Sequence, residues 1–150
     1  MIKSFVLPVL WAALSSLGFG MIFGLRTKKL LYVALGSALT WLAYLICMEL
    51  NTYEVSAYAI AAGIGTVYSE IMARVIKTPV TAFVIPVNIP LVPGASLFHS
   101  LLGLMQRDNA RFLERGKYCL AAACAMALGI FIATMLFKLV KSVADRSKNR

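Results

Sequence analysis

From Ile2 to Val140 the chain is a succession of apolar runs, each about as long as a bilayer is thick, separated by short charged or proline-bearing breaks. The runs cover residues 2–25, 30–48, 55–76, 80–105 and 118–140. A helix needs ~20 apolar residues to cross ~30 Å of hydrocarbon at about 1.5 Å per residue. Five such runs consume ~100 residues and leave only loops and tails outside them. The expected fold is an all-α integral membrane protein: one transmembrane domain over residues 1–150, with about five transmembrane helices. Lys3 followed by an apolar stretch also has the shape of a signal peptide. The length of that run, and the lack of an A-x-A-like site ahead of a soluble region, favour a retained helix.

Composition agrees with this reading. Apolar residues make up 61% of the chain and charged ones 14%, against about 45–50% and about 25% in soluble domains. A water-soluble enzyme of this size could not hide that much apolar surface, and disorder is excluded by the same numbers. The net charge of +9 does not point to nucleic acid. The basic residues gather at Arg26–Lys29, Arg107–Lys117 and Lys138–Arg150, beside the ends of apolar runs, where they set membrane orientation. With five spans, Arg26, Lys28, Lys29, Arg74, Lys77, Lys138, Lys141, Arg146, Lys148 and Arg150 fall on one side. Lys3, Arg107, Arg111, Arg115 and Lys117 fall on the other. Ten against five puts the N-terminus outside and the C-terminus in the cytoplasm.

The breaks carry most of the local information. Trp41 and Tyr44 stand where interfacial anchors of the second run would be, and Glu49–Glu54 is a short acidic turn. Lys77-Thr78-Pro79 ends the third run, because the residue before proline avoids the helical region. The fourth run contains Pro86, Pro90 and Pro93 and then Gly94. Each proline removes a backbone donor and crowds the preceding turn, so two half-helices flanking an unwound stretch are expected. Gln106–Lys117 is expected as a polar connection or a surface helix.

Several constellations suggest function. Counting from Thr78, Asn88 lies ~15 Å in, near the bilayer midplane. Non-helical backbone at that depth is tolerated only against protein or water, and broken midplane helices build substrate sites in many transporters. Asn88, Pro90, Pro93, Gly94 and Ser96 are therefore candidates for a substrate path. Glu70 and Arg74, four residues apart inside the third run, are candidates for an ion pair with a coupling role, or for a pair reaching to the interface. His99 is a candidate proton-handling group or, equally, a hydrogen-bonded packing residue. Small residues recur every four positions at Ala12/Ser16/Gly20/Gly24, Ala57/Ala61/Gly65 and Ala121/Ala125/Gly129/Ala133. Such stripes let helices approach closely, within one chain or between copies. Cys47, Cys119 and Cys124 form no CxxC, so neither a disulfide framework nor a metal site is expected. No motif of catalysis is present, and no cofactor is expected.

Gly65-Thr66-Val67-Tyr68-Ser69-Glu70-Ile71-Met72-Ala73-Arg74, then Lys77-Thr78-Pro79, then Ile89-Pro90-Leu91-Val92-Pro93-Gly94-Ala95, resemble the threonine/serine exporter family, and within it the small membrane subunit. Gly18–Gly24 before the basic turn and Gly36-Ser37-Ala38 before Trp41 are similar to the same pattern. Where that pattern has a second glycine after Pro-Gly, this chain has Ala95. The resemblance implies secondary active export of small amino acids, or of small carboxylates such as succinate, from a bacterial cytoplasm across the inner membrane. It also implies a larger partner subunit that carries its own membrane bundle and a soluble region. The alternative is a non-transporting scaffold or assembly subunit whose helices only pack against a partner.

Overall fold

The structure, a computed structural model, describes residues 2–26 and 28–148, with side-chain surroundings over 5–26 and 28–142. Thr27 and the side chains of Lys3, Arg146, Lys148 and Arg150, which enter the charge count, lie outside the described residues. All regular structure among the described residues is helical: α1 (Ile2–Ile22), α2 (Lys28–Glu49), α3 (Glu54–Val75), α4 (Thr81–Asn88), a 3-10 turn (Ile89–Leu91), α5 (Gly94–Met105) and α6 (Asn109–Lys148). Helices α1, α2, α3 and α6 are long and apolar enough to cross a membrane. Thr81–Leu91 and Gly94–Met105 form a pair bent by 58° that would supply a fifth span.

Four helices end the same way. Gly24, Asn51, Lys77 and Arg107 all adopt positive φ. The N–H after each reaches five residues back: Leu25 to Gly20, Thr52 to Cys47, Thr78 to Ala73 and Asp108 to Gly103. This is the Schellman arrangement, which satisfies carbonyls that a helix end would leave bare. It stops α1 at Ile22 although the apolar run continues to Leu25, and it lets each helix reverse within a few residues. Gly24 takes the left-handed conformation without penalty. Asn51 tolerates it, while Lys77 and Arg107 bear a cost of about 1–2 kcal/mol each.

The expectation of an unwound stretch from Pro86 to Gly94 is corrected. The helix runs through Pro86 to Asn88, tightens into the 3-10 turn, and leaves helical geometry only at Val92 and Pro93. Position explains this. Pro90 lies within the first two residues of the 3-10 turn and Pro93 caps α5, where a missing N–H costs little. Only Pro86 is interior, and it is buried against neighbouring helices. The polar connection also differs from expectation. Only 106–108 is a turn, and Asn109–Lys117 is continuous with the apolar run 118–140 in one 40-residue helix, ~60 Å long.

Helix directions follow from side-chain neighbours. On α6, Tyr118 lies beside Glu54 and Tyr58 near the start of α3. Phe137 lies under Arg74 near its end, 4.0 Å from ring centre to guanidinium. Helices α3 and α6 are therefore parallel, so the bent pair between them returns the chain to the end of the bundle where α3 began. The parallel pair is close because Gly129 faces the carbonyl of Ala59, and a methyl group there would collide with it. Within the stripes, Ala57, Ala61, Gly65, Ala125 and Ala133 are buried, whereas Ala121 faces outward and Ala122 takes the inward position. The N-terminal part of α6 packs on α5, with Ser100 Oγ donating to the Phe112 carbonyl (3.0 Å). Helix α4 is the centre of the molecule, touching α1, α2 and α3, with Phe83 and Val87 fully buried.

Candidate functional site

The buried polar groups converge where α2, α3 and α4 meet. Asn88, at the last position of α4, is 2% exposed, and Thr40, Thr66 and Ser69 are fully buried. Gly65 and Thr66 sit halfway along α3, so this polar centre is at mid-length of the bundle. Gly65 is what lets the three helices meet. A Cβ there would strike Thr40 Oγ1 and come within 3.0 Å of Asn88 Oδ1. Gly36 does the same for α2, since a Cβ there would meet Tyr68 at 2.5 Å and Val87 at 2.9 Å.

The hydrogen bonds of this centre are unevenly matched. Thr40 Oγ1 donates to the Gly36 carbonyl (2.8 Å), Thr66 Oγ1 to that of Ala62 (2.7 Å) and Ser69 Oγ to that of Gly65 (2.7 Å). Each is a back-bond to the preceding turn, a usual way for hydroxyls to sit in an apolar helix. Asn88 Nδ2 donates to the Val84 carbonyl at 2.9 Å and faces Thr66 Oγ1 at 3.5 Å. Asn88 Oδ1 has no hydrogen-bond partner among the described residues. The amide is not reversed, because reversal would set Oδ1 against the Val84 carbonyl. Leaving such an acceptor buried and unmatched costs about 1–3 kcal/mol.

One turn along α3 from Thr66, Glu70 pairs with Arg74, with Oε2 2.9 Å from Nη2. The ion pair expected from the sequence is thus present, and it is lopsided: the glutamate side chain is 5% exposed and the arginine 38%. Arg74 Nη1 also donates to the Glu70 carbonyl (3.1 Å), and its guanidinium stacks on Phe137 of α6.

The structure joins only some of the candidate residues. Asn88 belongs to the polar centre and Glu70 lies one turn from it. Pro90 lies at an open, apolar groove between α1 and α2, lined also by Leu7, Pro8, Trp11, Ala12, Ser15 and Trp41. Pro93 is buried, and its carbonyl accepts the Cys119 thiol (3.8 Å). Gly94, Ser96 and His99 stand beyond the bend on α5, which packs on α6, apart from Asn88. The His99 ring lies edge-on to Phe98, and its Nδ1 is buried without a partner among the described residues. Trp41 and Tyr44 are half-buried. Trp41 stacks on Tyr44 and Tyr44 on Tyr58, around Ala61, Ala62 and Leu91, and Tyr44 donates to Glu54 (3.2 Å). Of the cysteines, Cys47 and Cys119 are half-buried and Cys124 is exposed.

Thr40, Gly65 and Thr66 were not singled out by the substrate-path argument. Their signal was present, since Gly36/Thr40 and Gly65/Ser69 repeat a small-polar pattern four residues apart, each on a face opposite the other helix. The same residues that read as packing stripes supply the oxygens of the site.

No curated protein and no solved structure matches the chain at significance. The family model described as "Threonine/Serine exporter, ThrE" matches residues 8–136, which takes in α2 through α5 and the paired lengths of α1 and α6. The chain belongs to the threonine/serine exporter family.

Proposed function

We propose that this chain is the membrane subunit of a secondary active exporter of threonine and serine, working with a larger partner subunit in a bacterial inner membrane. The observation that carries the reading is the set of polar groups at mid-length, Asn88, Thr40, Thr66 and Glu70, placed on three helices that meet beside the bend. An apolar bundle built only to pack has no use for an unmatched carbonyl oxygen and a carboxylate at that depth. The proposed path passes Asn88, then Pro90 and the non-helical backbone at Val92 and Pro93, and leaves past Gly94 and Ser96. Glu70 and Arg74 couple that path to charge, with His99 standing nearer its α5 end.

Export is tested in cells that express this chain with its large partner, the partner alone and this chain alone. Threonine should leave the cell faster only when both are present. Equal export without this chain would overturn the proposal.

Orientation is part of the same reading. The parallel course of α3 and α6 fits an odd number of crossings, and the ten-to-five charge count then puts the outer end of α3, with Glu54, outside. Reporter fusions at the C-terminus should report the cytoplasm. A C-terminus outside would reverse the assignment of every loop.

A further inference from the structure

Basic residues dominate the end of the bundle where α2 begins and α3 stops. Arg26, Lys28, Lys29, Arg74 and Lys77 stand there, while Glu49, Glu54, Asp108 and Glu114 stand at the opposite end. Among the described residues only Glu70 answers these charges, through Arg74. Such an excess orients a membrane protein and by itself selects no ligand. The faces on which Lys28 and Arg74 lie are more particular.

An open, apolar groove runs over α3 between α2 and α6. Leu39 of α2, Val67 and Ile71 of α3 and Ala133 of α6 line it, and Gly63 and Gly129, lacking side chains, give it depth. From Ala59 to Ile71 it follows twelve residues of α3, ~18 Å of helix, close to half of the ~30 Å hydrocarbon core. Arg74 comes three residues after Ile71 and seven after Val67, on the face that lines the groove. Lys28 comes eleven residues before Leu39, three turns along the same face of α2. The two helices run antiparallel here, since Gly36 meets Tyr68 and Leu30 and Tyr32 share a core cluster with Met72 and Ile76. Lys28 and Arg74 therefore flank one mouth of the groove. Lys28 is exposed. Of the five N–H groups of a guanidinium, Glu70 engages at most two of those of Arg74.

We infer that this groove holds one anionic phospholipid from the leaflet at the basic end, with an acyl chain over Gly63 and Gly129 and the phosphate between Lys28 and Arg74. Charge complementarity selects this occupant. Phosphate oxygens are the negative charge that a bilayer supplies at that depth, and a guanidinium with a lysine beside it is a fitting pair of partners for them. A second copy of the chain, inserted the same way up, would set its own Lys28 and Arg74 level with these and be repelled. A zwitterionic headgroup offers the phosphate but brings a cation to the same mouth. The inference does not depend on the export reading.

The test titrates the detergent-purified full chain with dioleoyl phosphatidylglycerol, dioleoyl phosphatidylcholine or glycerol 3-phosphate. Thermal unfolding reads binding, and native mass spectrometry counts the lipids retained. Phosphatidylglycerol should raise the unfolding temperature in a saturable way, because a ligand held only by the folded state stabilises it, and one lipid should stay on each chain. Phosphatidylcholine should need about tenfold more, and glycerol 3-phosphate, a headgroup without chains, should do nothing. Lys28→Gln should raise the half-saturating phosphatidylglycerol concentration about fivefold, the scale of one basic residue at an anionic surface. Gly63→Leu should raise it about tenfold by displacing the acyl chain. A Cβ at that position meets only the Gly129 carbonyl, at 3.6 Å, so the helices keep their places. Lys138→Gln is the control: that residue is exposed and, nine positions after Gly129, half a turn round α6 from the groove, and its loss should leave binding unchanged. Equal stabilisation by the two lipids, or equal effects of Lys28→Gln and Lys138→Gln, would reduce the mouth to diffuse surface charge and overturn the inference. So would stabilisation by glycerol 3-phosphate. A dimer that retains no lipid and that Gly63→Leu dissociates would give the groove to a second copy instead.

Discussion

Asn88→Ala strongly weakens export while the protein still inserts into the membrane at wild-type level. Nothing in the structure requires the carboxamide for folding. Thr66 keeps its own hydrogen bond to the Ala62 carbonyl, and alanine is the best helix former at the end of α4. The substitution also removes a buried acceptor that has no partner, so part of the packing loss is offset by relief of its desolvation. What disappears is the one buried side-chain amide carbonyl of the polar centre that has no partner among the described residues. Loss of a hydrogen bond to a charged group, about 1.5–3 kcal/mol, lowers the rate by roughly ten- to a hundredfold. The measurement is threonine efflux from loaded cells that co-express the partner, normalised to the amount of protein in the membrane fraction. Efflux at the wild-type rate would remove Asn88 from the path.

That residue also shows where sequence reasoning succeeds in a chain of this kind. The number of helices and the position of the break were legible because hydropathy and proline act locally, through bilayer thickness and a missing N–H. The extent of the break was not. Pro86 stays inside a helix because Val87, Phe83 and its own ring are buried on three neighbours, and packing of that kind overrides local preference. The length of α6 was hidden for a related reason. The turn at 106–108 is set by a positive φ at Arg107, and arginine gives no sign of that conformation. Asn88 and Glu70 stood out as polar residues in apolar runs, whereas Thr40 and Thr66 did not. A threonine that bonds its own helix is unremarkable until another helix brings an unmatched oxygen beside it. Ser96 and His99 illustrate the converse. They follow the break closely in sequence, and the 58° bend carries them to α6.

Glu70→Gln lowers export without unfolding the bundle. The substitution keeps shape and removes charge. Arg74 then retains the Glu70-position carbonyl and the Phe137 ring, and at 38% exposure it is partly solvated, so losing its counter-ion costs less than for a buried cation. No other titratable group among the described residues competes at this point. Helix α4 has none along Thr81–Asn88, and Lys138, next to Phe137 on α6, is exposed. The carboxylate is therefore the one acidic group among the described residues that is buried beside the polar centre. In Glu70→Gln that negative charge is gone, Arg74 loses its partner, and threonine efflux should fall to a low value. Arg74→Gln is the complementary arm: it leaves the carboxylate buried without its cation, which should lower insertion or stability and so mark the pair as structural on that side. An unchanged export rate in Glu70→Gln would reduce the pair to a clamp between α3 and α6.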